Sequence, residues 1–274
     1  MKRVATIILN RNLPDVTDAL FAHLQRYDGD ATDIFVVEAG SDLDRLSKNA
    51  TWHANWPEAQ AQGLRYCRGM NYGLSQLWKE KKFKQYDSFF LLTNDTELQP
   101  QKTIGPLTEI LDEHPHVGIL SPCSKRWGEK LLLEKQSTKY FWFIHNNAYL
   151  LKREFIESIF NENEPDAMNF LFDGTNFRGY GSESELIAKA YANDWVAAIT
   201  SSIWAGENES HLIEKADLIK TEAFEDNLKL YVQEGREWMR KKYGFNSHWS
   251  MQQYVKSFYD RFFEFHPEYI NYKV

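Results

Sequence analysis

One stretch, Ser88-Phe89-Phe90-Leu91-Leu92-Thr93-Asn94-Asp95-Thr96-Glu97, constrains this chain more than any other. Its apolar core, Phe89 to Leu92, is too short for a helix. It suits a strand buried on both faces, as in a parallel sheet. The run stops abruptly in polar residues. Asn94, Asp95 and Thr96 then fall just past the strand's carboxyl end, where open α/β sheets bind ligands. With extended backbone, Asp95 and Glu97 point the same way. Two hard oxygen ligands aimed together suit Mg²⁺ or Mn²⁺. Asp-x-Glu is common, and a solvated turn is the competing reading.

The flanking sequence extends the pattern. Val4 to Leu9 reads as a first strand, followed by the polar loop Asn10-Arg11-Asn12-Leu13-Pro14. Asp15 can cap a helix to about Tyr27, with Val16, Leu20, Phe21 and Leu24 on one face. Asp33 to Val37 is a second strand, ending in Glu38-Ala39-Gly40-Ser41-Asp42. Strand, helix and strand at this spacing form a βαβ unit with a parallel pair. Residues 51–63 read as loop, Arg65-Tyr66-Cys67 as a short strand, and Met70 to Lys82 as a helix. Further strands are expected at Val117–Leu120, within Tyr140–Leu151 and at Trp195–Ile203. Helices are expected at Thr103–Glu113 and Arg153–Phe160, and residues 123–139 read as an irregular mobile loop. Ser182 and Glu185 match the S-x-x-E capping box that opens a helix to about Ala192. Long amphipathic helices over about 214–242 and 249–265, separated at Gly244, close the chain.

Composition removes several classes. A net charge of −7 over 274 residues argues against nucleic-acid binding, which needs a basic face. No apolar run is long enough to span a membrane. Peripheral contact through the aromatic stretch Phe258–Phe265 stays open, although Asp260 and Glu264 interrupt it. Met1-Lys2-Arg3 resembles a signal-peptide start, but the following apolar segment stops at Asn10-Arg11. A cytoplasmic protein is therefore expected. Cys67 and Cys123 have no metal-type spacing and read as buried thiols. Glycine-rich dinucleotide, P-loop and nucleophile-elbow signatures are all missing. A phosphate group would thus be met by a metal held by carboxylates.

Taken together, the motifs resemble those of the family-2 glycosyltransferases with the GT-A fold, in particular the rhamnosyltransferase-like branch. The resemblance covers about residues 4–210. Ile8-Leu9-Asn10-Arg11-Asn12 is similar to the family's opening strand and nucleotide loop. Val36-Val37-Glu38-Ala39-Gly40-Ser41 is similar to its V-V-D-N-x-S segment, with Glu38 replacing the aspartate. Met70-Asn71-Tyr72-Gly73-Leu74 resembles the N-x-G helix opening. Leu91 to Pro100 resembles the N-D-T-E-x-x-P form of the D-x-D motif. Gly179-Tyr180-Gly181-Ser182-Glu183-Ser184-Glu185-Leu186 resembles the stretch that carries the catalytic base. The family's metal-completing histidine is replaced by Ala205, with His211 further along.

The resemblance implies an α/β GT-A core over residues 1–210, with a mostly parallel sheet flanked by helices, and a helical carboxyl-terminal appendage over 211–274. It implies inverting transfer of a sugar, hexosyl or deoxyhexosyl, from a nucleotide-diphosphate donor to a hydroxyl of a glycan or other acceptor, assisted by Mn²⁺ or Mg²⁺. Asp95 would bind the metal with Glu97 as helper. Glu183 is the first choice for the base and Glu185 the second, although Glu185 also fits a purely structural capping role. Charge at the helix terminus is expected to keep the Glu183 pKa low. Asn10, Asn12, Glu38, Arg68, Asn71, Asn94 and Asp95 are the candidate nucleotide contacts. The alternative is a GT-A-fold module that binds a nucleotide or glycan without turnover.

Overall fold

A computed structural model describes residues 3–145, 148–160, 165–208, 210 and 214–274. His211 lies outside the described residues. Among the described residues the strands and α-helices follow in this order: β1 (Val4–Asn10), α1 (Pro14–Asp28), β2 (Thr32–Glu38), β3 (Ala50–His53), α2 (Pro57–Gln62), α3 (Arg65–Lys79), β4 (Ser88–Thr93), β5 (Thr96–Leu98), α4 (Ile104–Glu113), β6 (Val117–Ser124), β7 (Thr138–Tyr140), β8 (Ala148–Lys152), α5 (Arg153–Ile159), α6 (Ser182–Ala192), β9 (Val196–Glu207), α7 (Phe224–Tyr243) and α8 (His248–Phe265). The strands form one sheet in the order β3-β2-β1-β4-β8-β6-β9-β5, with β7 also paired to β9. β1 runs parallel to β2 and β4, and β6 parallel to β9. β8 runs antiparallel between β4 and β6. Most strands therefore share one direction, and the carboxyl ends of β1 and β4 meet at one edge.

The apolar runs explain the central strands. Every residue of β1 and β6 is buried, as are Ser88 to Leu92 of β4. Helices cover both faces, so no alternation is needed. Edge strand β3 is largely uncovered, which hides it in sequence, and Pro57 starts α2 directly after it. Residues 51–63 are thus strand and helix rather than loop. Arg65-Tyr66-Cys67 is not a strand but the first turn of α3, with Cys67, Met70, Leu74 and Leu77 buried on one face. That periodicity appears only over the whole helix. The segment 123–139 contains the end of β6, a 3₁₀ turn at Gly128–Leu132 and β7.

The carboxyl-terminal helices pack on this core. Val255, Tyr259, Phe262 and Phe263 of α8 join the main hydrophobic cluster, while Trp238, Met239 and Met251 form a second, smaller one. α7 begins later than the sequence suggests, because residues 216–220 form turns, and side chains of the core, described below, hold the segment through Glu222. Cys67 and Cys123 are free and buried, and burial pushes both thiols up to about 12. Among the described residues no helix is long and apolar enough to cross a membrane.

Candidate active site

The floor of the site is a buried polar chain at the ends of β1, β2 and β4. Asn10 donates from Nδ2 to both oxygens of Glu38, at 3.1 and 2.9 Å, and its Oδ1 accepts from Asn94 Nδ2 at 3.0 Å. Glu38 also accepts from the Ser47 amide at 2.8 Å. Glu38 and Asn10 are fully buried, so both carboxylate oxygens serve to fix the loops around them. Asn12 adopts a left-handed φ of 57°. Its side chain bonds the Asp42 amide at 2.7 Å and the Leu218 carbonyl at 2.8 Å.

Above this floor lies a cavity of about 280 Å³ whose lining includes Asn10, Arg11, Arg65, Tyr66, Asp95 and Glu207. Segment 216–222 closes one side. Ile219 and Thr221 line the cavity. Arg65 donates to Thr221 at 2.7 Å, Arg178 pairs with Glu222 at 2.6 Å, and Lys220 pairs with Asp42. Burial, and then the like charge of Arg65, lower the Arg11 pKa to about 10. Arg11 Nε and Nη1, Arg65 Nε and Tyr66 Oη are buried without a hydrogen-bond partner among the described residues. Buried donors of this kind call for an acceptor, and two adjacent guanidinium groups call for an anion.

The acids arrive from two directions. A turn at Asn94–Asp95 follows β4, and the Asp95 carbonyl accepts from the Asn208 amide at 2.8 Å. β5 then pairs antiparallel with the end of β9, with Thr96 opposite Glu207, Glu97 opposite Gly206 and Leu98 opposite Ala205. This ladder brings Glu207 to the cavity that Asp95 lines. Glu97 is exposed and lines a neighbouring hollow with His23, Asn94, Asp95 and Asn208. Asp95 thus lines both hollows, and Glu97 only the second. The carboxylates at the cavity are those of Asp95 and Glu207, a hard oxygen set suited to Mg²⁺ or Mn²⁺.

Glu183 stands in the first turn of α6, after Gly181 at a left-handed φ of 81°. No capping box forms, because Gly181 is the N-cap and Ser182 already lies in the helix. The Glu183 side chain keeps 25% of its exposure. Ser184 Oγ donates to it at 3.3 Å, and His248 Nε2 lies 3.8 Å away. Burial raises the Glu183 pKa, against the low value that its helix terminus led us to expect. Desolvation outweighs the helix-terminal charge. Burial also lowers the His248 pKa. Burial raises the Tyr66 phenol well up, with smaller contributions from Cys67, Glu207 and Glu183. Tyr66, on the cavity wall, therefore lies within electrostatic reach of both Glu183 and Glu207.

The remaining candidates have structural partners. Glu185 is 2% exposed and accepts from Tyr243, while Lys242 Nζ approaches it at 2.6 Å and Lys189 Nζ at 3.5 Å. It fastens α7 to α6. Asn71 is buried and bonds four backbone groups of residues 167–172, including the Leu171 and Phe172 amides at 2.9 Å. Arg68 donates to the Gly174 carbonyl at 2.7 Å and lies over the Phe177 ring. None of these three lines the cavity.

The sequence matches no family model and no curated protein. Solved structures do match. GalNAc-T7 with UDP, GalNAc and Mn²⁺ superposes with a TM-score of 0.60 at 8% identity, covering 96% of this chain and 57% of the other. TarS 1-349 from S. aureus in complex with UDP-GlcNAc gives 0.51 at 14% identity, covering 97% and 73%. The mannosyltransferase PcManGT from Pyrobaculum calidifontis, in complex with GDP-Man and Mn²⁺, gives 0.50 at 13% identity, covering 94% and 74%. The chain has the GT-A fold. It spans little more than half the length of GalNAc-T7. None of these three is named for rhamnosyl transfer.

Within the GT-A frame, Asn10, Asn94 and Asp95 line the cavity. Glu207, Arg11 and Arg65 were not among the candidates. The one sequence signal for Glu207 was an acid two residues past Ala205, where a histidine was sought. Arg65 reads as part of a strand in the sequence, which gives no reason to aim it at the site.

Proposed function

We propose that this GT-A chain is a glycosyltransferase that moves a hexosyl or deoxyhexosyl group from a nucleotide-diphosphate donor to an acceptor hydroxyl with inversion. The observation that carries the reading is the cavity's pairing of opposites: unpartnered buried guanidinium N–H groups beside the Asp95 and Glu207 carboxylates. The N–H groups of Arg11 and Arg65 suit diphosphate oxygens. Asp95 and Glu207 would hold Mn²⁺ or Mg²⁺, which offsets the charge gained by the departing diphosphate.

The acceptor oxygen forms its bond to the anomeric carbon as the bond to the phosphate oxygen breaks. The acceptor proton passes to the Glu183 carboxylate, and the nucleoside diphosphate leaves with the bonding electron pair. A base works best with a pKa near the working pH, and burial moves Glu183 in that direction. Glu185, closed in by Tyr243 and Lys242, is left with the structural role.

The test is donor hydrolysis and transfer over a panel of nucleotide sugars, with and without Mn²⁺, for wild type, Asp95→Asn and Glu183→Gln. Asp95→Asn should weaken Mn²⁺-dependent nucleotide binding. Glu183→Gln should leave that binding intact and cut transfer by about 10²–10⁴-fold. Nucleotide binding without turnover of any donor would instead identify a binding module. Product that retains the donor's anomeric configuration would remove Glu183 as the base.

A further inference from the structure

A second cluster of ligating side chains lies at the opposite edge of the sheet. His116 immediately precedes β6, Asp194 sits in the turn between α6 and β9, and His266 caps the carboxyl end of α8. One donor atom from each lies within 4.8 Å of the others. His266 Nε2 is 2.6 Å from Asp194 Oδ1, and His116 Nδ1 is 3.7 Å from Asp194 Oδ2. The amino-terminal ends of β6 and β9 carry this cluster, whereas the cavity is built on the carboxyl ends of β1 and β4.

From this geometry we infer a zinc site formed by His116, Asp194 and His266. Two imidazoles and a carboxylate are a zinc donor set, less suited to the hard Mg²⁺ or Ca²⁺. The surroundings support it in three ways. His266 Nδ1 faces Glu268 Oε1 at 3.5 Å, the carboxylate–histidine arrangement that orients a ligating imidazole and directs its other nitrogen at the ion. Asp194 is held at a left-handed φ of 62°, and the Val196 amide donates to the His116 carbonyl at 2.7 Å. Together these set the two turns side by side. Phe262 and Tyr269 pack on the imidazoles and wall one side. Asp194 is 61% exposed, leaving the other side open to the ion and to a water as fourth ligand.

The ion would join three segments distant in sequence. It would fasten the end of α8 to the sheet, and with it the helix that buries Val255, Tyr259, Phe262 and Phe263 in the core. The site is separate from sugar transfer and stands or falls independently of that proposal.

The experiment is calorimetric titration of Zn²⁺ into the Asp95→Asn protein, which weakens the cavity as a competing metal site. One Zn²⁺ per chain with a dissociation constant of micromolar or below is expected. Co²⁺ in its place should give the intense visible bands of tetrahedral coordination. Asp194→Asn keeps the side-chain shape and tolerates the left-handed backbone, while His266→Gln keeps a donor near Nε2. Either should weaken binding by roughly 10²-fold, and Glu268→Gln by about 10–100-fold. A hundredfold excess of Zn²⁺ over the dissociation constant should raise the melting midpoint of the Asp95→Asn protein by about 4 °C or more, and not that of the same protein carrying His266→Gln. No binding, or binding indifferent to all three variants, overturns the assignment.

Discussion

Gly235, in the middle of α7, gives a sharp test of how the carboxyl-terminal helices act on the site. A methyl group at this position would lie 2.4 Å from Tyr180 Cβ and 2.8 Å from the Tyr180 carbonyl oxygen. Neither atom can rotate aside, so the helix or the turn must move. Overpacking of this kind typically destabilises by about 1–3 kcal/mol. The opposing effect is helix propensity, since alanine in a helix interior is favoured over glycine by about 1 kcal/mol. With contacts to rigid atoms the upper half of the first range applies, leaving Gly235→Ala about 1–2 kcal/mol less stable. The melting midpoint should fall by roughly 2–8 °C. Tyr180 lies in the Gly179-Tyr180-Gly181 turn that leads into Glu183, so transfer should fall further than nucleotide affinity does. Calorimetric melting and parallel binding and transfer assays would show this. A Gly235→Ala protein that melts higher than wild type, by the alanine increment alone, would refute the close packing of α7 on that turn.

Other outcomes follow from the same contacts. The base must be ionised and burial raises the Glu183 pKa, so the acid limb of kcat/KM should lie above the ordinary carboxylate range. It should vanish from the residual activity of Glu183→Gln, as a pH–rate profile would show. Glu185→Gln removes a buried charge from Lys242 and Tyr243. It should lower stability by about 3 kcal/mol in a denaturant melt, with nucleotide affinity unchanged. Arg65→Gln should weaken nucleoside diphosphate binding much more than nucleoside binding, and make that binding less sensitive to salt when titrated over a range of ionic strength.

The central strands were readable because each is an apolar run covered on both faces, and Asn10, Asn94 and Asp95 because polar residues follow such runs at once. β3 and α2 were not, since an edge strand and a one-turn helix carry little pattern. Arg65 and its neighbours misled because a helix's first turn shows no period of its own. Glu207 depends on the β5–β9 pairing, which no local feature announces. The direction of the Glu183 shift was missed for a related reason. Its neighbours at the helix terminus are adjacent in sequence, whereas His248, which approaches it at 3.8 Å, lies on α8 near the chain's end.

The short ladder between Thr96–Leu98 and Ala205–Glu207 has a consequence for how such a chain can change. Backbone hydrogen bonds, not side chains, set the separation of Asp95 and Glu207. Individual residues there can be exchanged without moving the frame. One residue inserted between Ile203 and Glu207 would turn the strand's faces over and carry the Glu207 carboxylate out of the cavity. At this corner the fold tolerates drift in identity but not in length, and insertions belong in the segment between β6 and β7.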